Sequence, residues 1–174
     1  MRQSRNQSGV VLIITLIILL ILTLLGTSSI QMTGLLERMA RNTTDTNAAL
    51  GAAEAGLLAA ESIVEDETAL TDYEANTAGK YKILGTGVTP RWQTTSTWTG
   101  GDSLATTYTG SASPPRYIIE FVKTVVSVED SLNLDNVGGG GGTDQTQVFR
   151  ITSLGVGKSA AAKVYLQSTY GKKF

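Results

Sequence analysis

Cysteine and histidine are both missing from this 174-residue chain. Without cysteine there is no disulfide staple, thiolate nucleophile or thiolate metal site. The redox compartment stays open, because a periplasmic protein can do without disulfides. Without histidine the usual base at neutral pH is gone, together with most zinc sites and any Ser-His-Asp triad. Charge is scarce, at 17% of residues with a formal net charge of −1. No cluster of Lys and Arg offers the counterion-releasing surface that a nucleic acid partner needs, so none is expected. Aromatics are few, at 6%, and 19 glycines point to long loops around a modest core.

The most informative absence lies near the N-terminus. No charged residue occurs between Arg5 and Glu37, and Val10 to Leu25 is apolar except for Thr15 and Thr23. A helix over Val10, Leu16, Leu20, Leu25 and Ile30 would rise ~30 Å, the thickness of a bilayer's hydrocarbon core. Arg2 and Arg5 precede it, so the start should stay cytoplasmic and the remainder should cross. Three readings are open. A secretory signal peptide would be cut near Gly26-Thr27-Ser28-Ser29. A plain signal anchor would hold a periplasmic binding or scaffold domain. A prepilin would be cut before the apolar run, and Gly9, after a short polar and basic leader, is placed for that cut.

Beyond Met32 the helical period continues. Met32, Leu36, Met39, Thr43, Thr46, Leu50, Ala53, Leu57, Ala60 and Val64 recur at spacings of three and four, and most of the charged residues fall off that stripe. One helix from Val10 to about Glu65 is therefore expected, ~80 Å long, half in lipid and half on a folded domain. Gly34, Gly51 and Gly56 should bend it locally. The small-residue block Leu50 to Leu57 suits close packing on a sheet.

After Asp66 the pattern changes. Thr71 to Pro115 reads as long loops with one short strand at Tyr81 to Leu84. Three strands follow: Arg116 to Val128 with Tyr117, Ile119 and Phe121 on one face, Thr146 to Leu154 pairing Phe149 with Ile151, and Ala162 to Tyr170 with Val164 and Leu166 on a common side. An antiparallel meander covered on one face by the long helix is expected, an α+β fold. Leu132 to Gln145 reads as an exposed insertion whose Gly138 to Gly142 run has nothing to pack.

Several motifs suggest chemistry and are better explained without it. Thr152 to Ser159 resembles a phosphate-binding loop, but Thr152 stands where the first glycine belongs, and a hairpin turn at Gly155 to Lys158 accounts for the glycines. Asp72, Glu74, Asp102, Glu129, Asp130, Asp135 and Asp144 lack the alternating spacing of a calcium loop. Trp92 and Trp98 read as loop anchors, with a sugar-contacting surface as the alternative. No Gly-x-Ser-x-Gly turn is present. No catalytic, cofactor or metal site is expected, and hence no enzyme.

Four blocks carry a family resemblance: Ser8 to Leu16, Leu22 to Gly26, Leu36-Glu37-Arg38-Met39-Ala40 and Ala52-Ala53-Glu54-Ala55-Gly56-Leu57. With the terminal Phe149 to Gly155 and Leu166 to Tyr170, they resemble PilX-type minor pilins of the type IV pilus. The resemblance implies a pilin-like fold: a leader over 1–9, an N-terminal helix over 10–66 with the span at about 10–30, and a globular domain over 67–174. It implies cleavage after Gly9 by a prepilin peptidase and N-methylation of Val10. It further implies storage in the inner membrane with the globular domain periplasmic, then entry into an extracellular pilus. Its implied partners are the major pilin, other minor pilins and a tip adhesin. A minor pseudopilin of a type II secretion system shares this processing and stays open.

The chain departs from the general pilin pattern at the fifth residue after the cut, where Ile14 replaces the usual glutamate. A carboxylate in lipid costs several kcal/mol unless it finds a partner charge, which in pilins is implied to be a neighbour's N-terminal amine. With Ile14, this subunit offers an amine at Val10 but neutralises none, which suits a tip-proximal position with no subunit ahead.

Overall fold

The computed structural model describes residues 8–126 and 145–173. The expected insertion up to Asp144, with its glycine run, and the end of the first long strand at Val128 lie outside them. The chain forms two compact units, divided between Thr43 and Thr44.

Helix α1 spans Ser8–Asp66. Within the second unit its residues from Asp45 onward lie on a five-stranded sheet. The strands are β1 (Lys80–Lys82), β2 (Leu104–Ala105), β3 (Arg116–Val126), β4 (Gln145–Val156) and β5 (Lys163–Lys173), in the order β1-β3-β4-β5 with β2 beside β3. β3, β4 and β5 form the expected antiparallel meander, with Ile119 opposite Ile151 and Leu154 opposite Tyr165. β1 corrects the expectation: it is parallel to β3, with Lys80 opposite Ile119, so the sheet is mixed. It also starts earlier than Tyr81, and Ile83 adds only one further amide bond, to the Phe121 carbonyl. Gln145, expected to close the insertion, opens β4.

Alternation divides the sheet into two apolar faces. Tyr117, Ile119, Phe149 and Ile151 point to α1 and meet Ala60, Val64 and Tyr73, with Phe121 at the margin. Fully burying one such Ile or Phe stabilises the fold by ~1.5–3 kcal/mol. Ile118, Leu154 and Val156 point the other way, onto Tyr81, Trp98 and Trp92. Part of the segment expected to be loops thus covers this second face: the short helix α3 (Thr95–Thr99) and a single 3-10 turn at Arg91–Gln93 carry the two tryptophans. The same segment holds the short helix α2 (Thr71–Glu74), whose Tyr73 packs on the α1 face, and strands β1 and β2 of the sheet. Its polar, threonine-rich sequence hides the few apolar anchors that hold it.

The packed face of α1 departs from the expected stripe. Ala53, Ala60 and Val64 are buried and Leu57 half-buried, but Thr46 and Leu50 face outward, and Ala49, Ala52 and Gly56 take the contact instead. The reason is distance. A β-carbon on Gly155 of β4 would collide with the Ala49 carbonyl and the Ala53 amide, and one on Gly56 would meet the Ser153 hydroxyl. Helix and strand backbones approach too closely for leucine, so the smallest side chains define the interface.

Candidate assembly surface

The helical residues up to Thr43 form a unit of their own. Their apolar stretch reaches a mean hydropathy of 3.1 over an 18-residue window, long and apolar enough to cross a membrane. Most hydroxyl side chains in it turn back onto the helix. Thr15 donates to the Leu12 carbonyl at 2.9 Å, Thr23 to Leu20 at 2.8 Å, Ser28 to Leu24 at 2.8 Å and Thr33 to Ser29 at 3.0 Å. Such back-bonding pairs these hydroxyl protons within the helix, which suits a medium that offers no partner. The first charge, Glu37, pairs with Arg41 one turn on at 2.5 Å and marks the end of the uncharged band.

The sequence-predicted site residues all lie on this helix and all are exposed. Val10, Ile14, Leu16, Leu20, Leu25 and Ile30 lie open, and Gly9 has free space where a β-carbon would stand. Val10 and Ile14 are four residues apart and so share one helix face, which brings the first residue after the expected cut beside the position of the missing carboxylate.

In the second unit, polar side chains fasten the long helix to the sheet. Asp45 accepts the Ser159 amide at 3.0 Å and the Ser159 hydroxyl. These bonds, the hydroxyl's first, hold its carboxyl below the usual carboxylate range. α1 has no basic residue in its last turn, and Lys172 of β5 takes that role. Its ammonium donates to the carbonyls of Val64 at 3.1 Å, Glu65, and Glu67 at 2.6 Å. Tyr170 donates to Glu65 at 2.5 Å, and this bond, with burial adding to it, raises the phenol's pKa. Lys80 bridges Glu67 and Asp72, and though burial pulls its pKa down, the two carboxylates outweigh that and raise it. Burial, reinforced by Glu67 and Asp72, raises the pKa of the Tyr73 phenol above its ordinary value.

The phosphate-loop lookalike is a strand end and turn. Gly155 and Val156 belong to β4, and the turn comes later, so the hairpin expected at Gly155 to Lys158 is displaced. Gly157, like Gly155, is there for close approach, since a β-carbon would strike Asp45. Among the described residues no three acidic side chains gather as a metal site. Sequence reasoning missed the charged pair inside the sheet. Glu120 of β3 is fully buried and accepts two bonds from Arg150 of β4, at 3.0 and 2.6 Å. Its other oxygen has no hydrogen-bond partner among the described residues. Nothing in a lone sequence marks a glutamate for burial; only its place opposite Arg150 does.

Two family models match the chain. The PilX N-terminal model covers residues 8–58, and that of the type IV pilus assembly protein PilX C-terminal region covers residues 36–172. The chain belongs to the PilX family. No curated protein and no solved structure matches it. PilX membership makes the chain a type IV pilus assembly protein that works with other pilus components. Its apolar helix makes it a membrane-anchored one.

Proposed function

We propose that this PilX chain is a minor pilin that helps to start pilus assembly from a position at or near the tip. In this reading residues 1–9 are a leader removed after Gly9 by a prepilin peptidase, and Val10 becomes the methylated N-terminus. The subunit waits in the inner membrane with its start cytoplasmic and the domain over 67–174 periplasmic. It then enters the pilus through the apolar span that includes Val10, Leu16, Leu20, Leu25 and Ile30, beside the major pilin, other minor pilins and a tip adhesin. Its role is structural and not catalytic.

The observation that carries this reading is the bare, uncharged apolar helix directly after Gly9, the hydroxyls of Thr15 and Thr23 satisfied within the helix. A helix of that kind suits lipid and then neighbouring helices equally well. Ile14 supports the tip placement, since a first subunit has no amine ahead of it to neutralise. Mass spectrometry of the mature N-terminus tests the proposal. N-methylvaline at Val10 is expected. An intact Met1 would point to an unprocessed signal anchor, and a start near Ser28 to secretion. Labelled subunits spread evenly along purified pili would overturn the tip placement, and neighbouring genes of a type II secretion system would make it a pseudopilin.

A further inference from the structure

Trp92 and Trp98 fasten the cover to the second sheet face, and beside Trp98 that face holds a cleft. It measures about 380 Å³, within the range of small-molecule sites, and lies among α3, the start of β3 and the β4–β5 turn. Its floor is a single row across three strands: Arg116 opposite Leu154, and Leu154 opposite Tyr165. Tyr165 is 44% exposed, and its ring is held by both tryptophans, at 5.6 Å from Trp98 and 6.3 Å from Trp92. Lys163 lies two residues from Tyr165 on the same face of β5 and also lines the cleft.

The polar lining has one sign. Arg116 is held by Ser103 through Nε at 2.7 Å, and by the carbonyls of Gly100 and Ser103 through Nη2 at 2.6 and 3.0 Å. All three of these acceptors are uncharged, so the guanidinium is oriented but not neutralised, and its Nη1 makes no hydrogen bond among the described residues. Lys163 makes no ion pair among the described residues. Among the described residues no carboxylate lines the cleft, while Gln93 and Thr95 add neutral donors and acceptors. A partly exposed tyrosine ring, fixed in place, suits the C–H side of a sugar ring, and two unneutralised cations in the same cleft suit a carboxylate.

We propose that this cleft binds a carboxylate-bearing sugar residue, such as a uronate or a sialate, with its ring on Tyr165 and its carboxylate between Arg116 and Lys163. The chain's two tryptophans, both packed on Tyr165, report on the site directly. Full-length protein in detergent micelles is titrated with hyaluronan tetrasaccharide, an α2,8-linked N-acetylneuraminate trimer, maltotetraose and inorganic sulfate while tryptophan emission is followed. A saturable change with at least one acidic oligosaccharide is expected, with maltotetraose about tenfold weaker for want of the charge contact. The two acidic probes separate a uronate from a sialate source. Lys163→Glu, at an exposed position, should weaken binding about tenfold or more with the near-ultraviolet dichroism unchanged. The proposal fails if neither acidic oligosaccharide gives a saturable change, if sulfate or maltotetraose matches them, or if Lys163→Glu binds as well as the parent.

Discussion

Gly155 of β4 lies against the backbone of Ala53 in α1, with the Ala49 carbonyl one turn away on the same contact. No side chain stands between helix and strand at this point, so neither element can yield without moving backbone. Gly155→Ala is therefore expected to cost about 1–3 kcal/mol of stability through overpacking. Gly56→Ala should cost less, because its nearest obstacle is the Ser153 hydroxyl, which can rotate. Denaturant unfolding of the two variants beside the parent checks the order. Equal stabilities would contradict the close-approach account of the interface.

Glu120 and Arg150 give a second test. Glu120 is wholly buried and depends on Arg150, whose side chain is about a quarter exposed. Arg150→Ala leaves a buried carboxylate without its cation and should destabilise the domain by about 3–5 kcal/mol. Replacing both, as Glu120→Leu with Arg150→Met, should restore most of that loss, since an apolar pair of similar volume needs no compensation. Thermal unfolding of the single and double variants decides it, and a double variant no better than the single would show that the pair matters for more than its charge.

These two cases show how far the sequence alone reaches. The faces of β3 and β4 were legible because Tyr117, Ile119, Phe149 and Ile151 alternate, and alternation is a local signal. The helix end at Asp66 was legible because the period stops there. The choice of Ala49 and Ala52 over Leu50 was not, since it depends on how near β4 comes, a fact carried by glycines a hundred residues away. The parallel pairing of β1 with β3 was hidden for the same reason: it is a long-range contact from a three-residue strand. At the candidate assembly surface the sequence supplied Gly9, Val10 and Ile14, and the structure adds that they lie open along one uninterrupted helix.

Asp45 ties α1 to the turn before β5, and its effect should follow pH. Its carboxyl is held below the ordinary range by the Ser159 hydroxyl and amide. A carboxyl depressed in the folded state adds stability above its unfolded pKa of ~3.9, and that contribution is lost as pH falls through the lower folded value. Hydrogen exchange at the Ser159 amide should show protection near neutrality that declines only in acid below about pH 4. In Asp45→Asn the acid-dependent decline should vanish. Protection that ignores both the acid and the substitution would remove the carboxylate from the contact.

The last prediction concerns Ile14. Four residues after Val10 on the same helix face, it is half exposed to whatever surrounds the helix. Ile14→Glu would place a carboxylate where other pilins are inferred to carry one. In lipid that group costs about 2.5–3.5 kcal/mol at the centre of a span and less toward its end, unless a cation answers it. If the proposed tip position is right, the variant gains a means of neutralising an amine ahead of it and should no longer be confined to the first place. Fluorescently labelled Ile14→Glu subunits should then appear along the shaft of purified pili, while the parent stays at one end. The number of surface pili should fall in cells that carry only the variant, because fewer filaments begin with a subunit that needs nothing ahead of it. Parent-like placement and piliation together would mean that the missing carboxylate does not set where this subunit goes.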